Sequence, residues 1–212
     1  MNDSTGSLSG TKIGIFGKGG AGKSTVTVML SRALVHRGYG VTVLDADSTN
    51  LGLHQALGIK APPDPLMDYY GGTVFRGGTV SCPVDDPVQL EPRDLNWENI
   101  PDRFRAEAPS SVRYLVCGKI GGQGVGAGCD GPVAKIARDV SLGDSGVMLV
   151  DFKAGFEDSA RGVVTGIDWV VVVVDPTNAA IQMAIDMREM LDSLASGEPR
   201  RPSIWRTLST SN

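Results

Sequence analysis

Eight consecutive residues, Gly17-Lys18-Gly19-Gly20-Ala21-Gly22-Lys23-Ser24, follow the apolar run Ile13-Gly14-Ile15-Phe16 and satisfy the pattern G-x-x-x-x-G-K-[ST] in full. Triphosphate chemistry explains each residue type. The glycines let backbone N–H groups close in on phosphate oxygens, and the helix that follows aims its positive end at them. Lys23 supplies a cation, and the Ser24 hydroxyl can ligate Mg²⁺. The run reads as a site for a nucleoside triphosphate and Mg²⁺, cradled from Gly17 to Thr25. The bland alternative is a glycine-rich turn that binds nothing, and the strand-then-helix context weighs against it.

Carboxylates stand where such a site needs them. Asp45-Ala46-Asp47 follows the apolar run 41–44, at the carboxyl edge where open α/β sheets place ligands. Two carboxylates there could orient water or hold Mg²⁺ through water; otherwise they are loop groups capping backbone N–H. Asp151 closes Val147-Met148-Leu149-Val150, in position to hold the hydration shell of Mg²⁺. Four residues on, Gly155 would let the backbone approach a γ-phosphate, so its loop could report triphosphate against diphosphate. Lys18 taken alone reads as a solvated loop charge. Cys129, at the end of a glycine-rich run, is either a soft-metal ligand or a buried or loop-borne thiol. His36 and His54 suggest no catalysis, and Trp169 is most simply packing.

The elements that must position these groups are legible in outline. A strand is predicted over 12–16, a helix from 24 to about 37, and a second buried strand over 41–44. Together they form a βαβ unit with a right-handed crossover. Residues 59–111, rich in proline, glycine and charge with no apolar period, read as a surface excursion with short helices. Strands are then predicted over 114–117, 147–150 and 169–174, with helices over 132–140 and 179–194. The expected fold is α/β, a mostly parallel sheet flanked by helices on both faces. One domain is expected over 12–198, with a loose polar leader at 1–11 and a poorly ordered tail at 199–212.

Composition narrows the partners. Twenty Lys and Arg against 24 Asp and Glu give a net charge of −4, with no basic block to attract nucleic acid. The leader has no apolar core of a secretory signal, and the run 169–174 is far too short to span a bilayer. Three cysteines without C-x-x-C spacing read as reduced thiols, and the expected location is the cytoplasm.

The string Lys18-Gly19-Gly20-Ala21-Gly22-Lys23-Ser24-Thr25 resembles the deviant Walker A of the MinD/ParA and nitrogenase-iron-protein group of P-loop ATPases. That resemblance implies an ATP-sandwich homodimer in which Lys18 reaches the partner's phosphates, like an arginine finger in trans. It also implies that Asp47 orients the attacking water. The group usually has proline after the second aspartate, where this chain has Ser48. The D-x-x-A-G-x-E-x-x-x-R-G string from Asp151 to Gly162 is more similar to CooC-type ATPases, which mature carbon monoxide dehydrogenase by nickel insertion. In those a C-x-C binds metal across the dimer; here the triplet is Ala127-Gly128-Cys129. The segment Gly124 to Cys129 also resembles the first cluster-cysteine region of the nitrogenase iron protein, whose second cluster position is Ala154 here. The resemblance implies Ni²⁺ or Zn²⁺ held by two copies of Cys129 at the dimer interface, and a metalloenzyme client. It covers about residues 12–58 and 113–190 and leaves the tail without the Asn-Lys pair that reads the base, so the last βα units are expected to be missing. The alternatives are a partition or positioning ATPase, or a nucleotide-dependent interaction module without turnover.

Overall fold

The structure is a computed structural model that describes residues 7–118, 130–143, 146–155, 162–195 and 208–209. Its first unit is β1 (Lys12–Gly17), α1 (Lys23–His36) and β2 (Val41–Ala46), both strands buried along their whole length. Two short helices follow, α2 (Leu53–Leu57) and α3 (Leu66–Tyr69). Then come β3 (Asp94–Leu95), β4 (Ala106–Glu107) and β5 (Val112–Val116). The remainder is α4 (Gly131–Asp139), β6 (Ser141–Leu142), β7 (Val147–Phe152), β8 (Trp169–Val174), α5 (Asn178–Ala195) and β9 (Leu208–Ser209).

Among the described residues seven strands form one sheet in the order β4-β5-β2-β7-β1-β8-β9. Every pairing is parallel except that of β4 with β5. Covering both faces of such a sheet requires central strands that are almost wholly apolar, and β8, with five consecutive valines, is the extreme case. Alternation along the strands divides the core in two. Phe16, Leu44, Val150 and Phe152 face α4 and α5, while Ile15, Val43, Leu149 and Val147 face α1 and α2. The aspartates of β2 and β7 have odd numbers and therefore lie on the α1 side.

β7 lies between β1 and β2, with Asp151 in register with both Ile15 and Asp45. This places the phosphate-loop strand and the D-x-D strand on either side of the Asp151 strand. β2 and β7 also run further than the sequence suggests, through Asp45 and Asp151, because the ladder continues while the side chains change from apolar to charged.

Residues 59–111 correct the expectation of a surface excursion. The short helices are there, as α3 and the 3₁₀ turns Val74–Arg76, Trp97–Asn99 and Asp102–Phe104. Yet Leu66, Val80, Leu95, Trp97, Ile100 and Phe104 are buried in the core that holds α4. α3 buries Leu66 and Met67, and the turns Trp97–Asn99 and Asp102–Phe104 bury one side chain each, so the segment has a core without a period. β3 pairs with β6 as a separate two-stranded sheet.

Gly10 N–H donates to the Gly146 carbonyl at 2.9 Å, and Leu8 packs against the α1-side core. Leu208 and Ser209 pair with Val173 and Val174 at the sheet edge. Among the described residues no helix is long and apolar enough to cross a membrane.

Candidate nucleotide site

Gly17 ends β1 at φ 155°, where an added Cβ would lie 2.5 Å from the Val173 carbonyl oxygen, so only glycine lets the chain leave the sheet here. The loop closes on itself through Ala21 N–H to the Lys18 carbonyl at 3.2 Å. Gly22 occupies the cap position of α1 and provides no side-chain cap, which leaves that helix end to an anion. Lys23 opens α1. Its side chain is buried, and its ammonium donates to the Lys18 carbonyl at 3.3 Å, beneath the loop. Burial lowers its pKa, against the pull of Asp151 and Asp47.

Asp151 is fully buried. Ser24 Oγ donates to its Oδ2 at 2.8 Å and Thr27 Oγ1 to its Oδ1 at 3.1 Å. Burial is the main cause that raises its carboxyl to about 6, with Asp45 beside it adding to the rise; Ser24, Thr27 and Lys23 act against it. A divalent cation suits this arrangement. The donors are hard oxygens, as Mg²⁺ prefers, and Ser24 Oγ lies 2.8 Å from Asp151 Oδ2, so an ion ligated by the hydroxyl would have the carboxylate within reach of its hydration shell. Among the described residues no three His, Cys, Asp or Glu side chains gather into a metal-holding group, so a cation here would draw on Ser24, Asp151 and water.

The two aspartates of D-x-D have different surroundings. Asp45 accepts from the Tyr114 hydroxyl at 2.6 Å and from Asp47 N–H at 3.2 Å, so both its oxygens take part in anchoring the strand end. Asp47 Oδ1 caps the next turn, taking Thr49 N–H at 2.9 Å, Thr49 Oγ1 at 2.7 Å and Asn50 N–H at 3.1 Å. Asn50 Nδ2 then donates to Ser24 Oγ at 2.9 Å, which joins this loop to the cation position. On the other flank Gly155, at φ 109°, brings its N–H to 3.4 Å from the Gly17 carbonyl.

The structure therefore gathers Gly17, Lys23, Ser24, Asp45, Asp47, Asp151 and Gly155 at the carboxyl ends of β1, β2 and β7. Lys18, Gly19, Gly20 and Thr25 are exposed on the loop and the helix start. Cys129, Glu157 and Arg161 lie outside the described residues. Cys82 and Cys117 are both buried. Sequence reasoning missed Thr27, Asn50 and Tyr114. Thr27 was open to discovery, since it follows Ser24 by three positions and so shares its helix face.

The model of the CobQ/CobB/MinD/ParA nucleotide binding domain matches residues 15–204. The chain belongs to this family. Within it, an uncharacterized ATP-binding protein of Methanocaldococcus jannaschii is 32% identical over 188 residues, 86% of this chain and 74% of the relative. The carbon monoxide dehydrogenase accessory protein CooC of Rhodospirillum rubrum is 30% identical over 189 residues, 86% of this chain and 70% of the relative. Among solved structures, the septum site-determining protein MinD of Pyrococcus horikoshii, complexed with Mg-ADP, has the same fold. Its TM-score is 0.57 at 18% identity, covering 87% of this chain, and this chain spans 65% of that one.

Proposed function

We propose that this chain is an ATP-driven switch that binds Mg-ATP, dimerises around it, hydrolyses it slowly and serves the maturation of a metalloenzyme. The observation that carries the reading is the Ser24–Asp151 pair at 2.8 Å beneath a complete phosphate loop. ATP is preferred over GTP because the M. jannaschii relative carries the description ATP-binding.

Lys23 and the loop N–H groups would hold the phosphates. Mg²⁺ would be held by Ser24 Oγ and, through its water, by Asp151, and would supply charge neutralisation at the phosphates. Asp47 orients water toward the γ-phosphate, and Lys18, exposed on the loop, reaches the phosphates of a second subunit. Gly155 senses the γ-phosphate through its backbone. The maturation role is supported by the likeness to CooC. In this reading nickel or zinc is cargo, taken by the Cys129 thiolates of two subunits and passed to a client in the cytoplasm. A positioning ATPase is the second reading, favoured by the breadth of the MinD/ParA family match. It requires ATP-dependent recruitment to DNA or a membrane.

Calorimetry with Mg-ATP tests the core of the proposal: micromolar binding that Lys23→Ala abolishes is expected, and equal affinity in the two proteins overturns it. Metal content after dialysis tests the cargo. About one Ni²⁺ or Zn²⁺ per dimer, lost in Cys129→Ser and kept in Cys82→Ser, is expected; equal content in wild type and Cys129→Ser removes the metallochaperone role from this thiol.

A further inference from the structure

Asp130 immediately precedes α4, where an aspartate ordinarily caps its own helix by accepting from the N–H groups of the first turn. It makes no such bond. Its two oxygens are instead divided between two other loops. Oδ1 accepts from Ser48 Oγ at 2.6 Å, and Oδ2 accepts from Lys153 Nζ at 2.5 Å. Ser48 is buried, and the Lys153 and Asp130 side chains are only 31% and 12% exposed, so this ion pair is largely shielded from water and salt.

The positions of the partners give the contact its meaning. Ser48 follows Asp47, and Lys153 lies midway between Asp151 and Gly155. One carboxylate thus holds the loop that presents Asp47 and the loop that presents Gly155. Where the resembling ATPases have proline, this chain has the hydroxyl that makes one arm of the contact. Midway along α4, Lys135 donates to Asp86 Oδ2 at 2.5 Å and to the Asp86 carbonyl at 3.0 Å, so the middle of the helix is fastened to residues 59–111.

We propose that Asp130 is a positioning residue that latches the two nucleotide-sensing loops together and passes their movement to α4. The inference rests on the switch reading above. The latch keeps Asp47 and Gly155 in one mutual arrangement, so a displacement of either loop at the γ-phosphate pulls on the start of α4. Because its partners are on loops and not on phosphate, its loss slows turnover without loosening nucleotide.

The test uses the full chain and Asp130→Asn, which keeps the shape of the side chain and removes its charge. Steady-state kinetics is expected to show kcat about tenfold lower, with KM and the calorimetric ADP affinity changed by less than about twofold. Hydrogen exchange of residues 131–139 is expected to differ between the ADP and slowly hydrolysed ATP-analogue states in wild type, and to be the same in the variant. Ser48→Ala and Lys153→Met, which break one arm each, are expected to show the same split, and the double variant to be no worse than Asp130→Asn. They decide the matter should Asp130→Asn not fold. Wild-type kcat and a wild-type exchange difference in these variants overturn the latch alone. A wild-type protein that neither binds nor turns over Mg-ATP overturns the switch reading and the latch with it.

Discussion

Two lysines are buried at opposite ends of the phosphate-loop strand, and they are buried for different reasons. Lys12, at the amino end of β1, donates to the carbonyls of Val140 at 2.6 Å and Arg138 at 3.1 Å, and burial holds its ammonium down at about 8. Lys23, past the carboxyl end, has the longer 3.3 Å contact to the Lys18 carbonyl and the carboxylates of Asp151 and Asp47 nearby. The first is fully engaged by the fold. The second is held under a loop whose shape suits an anion. An amine with close carbonyl partners serves structure, whereas one left with a long contact under a glycine loop awaits a ligand.

Exchanging these roles by mutation gives the largest effects. Lys23→Ala is expected to lower Mg-ATP affinity at least about a hundredfold with little change in stability, whereas Lys12→Met is expected to leave affinity unchanged. Lys12→Met strands two carbonyls and should destabilise by about 2–4 kcal/mol in urea unfolding followed by circular dichroism. Similar affinity losses in both would erase the distinction.

Alkaline pH sharpens it. Lys12 has its folded pKa at about 8, below the ordinary 10.5. Between those values the unfolded chain holds a proton that the folded chain has released, so stability rises with pH across this window. Below about 8 both states are protonated, and the penalty for burying the charge is fully present. The gain is at most about 3 kcal/mol and should vanish in Lys12→Met. Urea midpoints at pH 8 and pH 10 measure it.

A third lysine extends the comparison to an exposed one. Lys18→Ala is expected to bind ATP as a monomer, and Asp47→Ala to form a dimer that persists, both read by ultracentrifugation with a slowly hydrolysed analogue. Normal dimers and turnover in Lys18→Ala would make it a surface charge. The smallest effect is expected from Tyr114→Phe, which removes the hydroxyl that anchors Asp45. It should lower stability by about 1–2 kcal/mol and kcat only a few-fold, with ATP affinity unchanged.

How much of this could be read in advance follows from the range of each interaction. The phosphate loop was legible because phosphate chemistry dictates residue types at fixed spacing within eight positions. The central strands were legible because a sheet covered on both faces demands unbroken apolar runs. Their ends were not: Asp45 and Asp151 look like strand terminators, and only the register between β2 and β7 shows the ladder running through them. Tyr114 and Asp45 are 69 positions apart, and Ser48 and Asp130 are 82 apart, so no local pattern announces either pair. The packed interior of 59–111 escaped because single buried residues on successive short turns leave no period to detect.

The placement of β7 between β1 and β2 has a consequence for how the chain is made. A ribosome that has released residues up to β6 has already produced the phosphate loop, α1 and the D-x-D segment, yet the two strands that carry them have no partner between them. Sheet closure requires Lys12 to pair with Met148, a contact spanning most of the polypeptide, and such distant pairings form late. The nascent protein therefore passes through a stage with a complete phosphate-binding sequence and no competent nucleotide site, during which β1 and β2 expose hydrogen-bonding edges to chaperones or to other nascent chains.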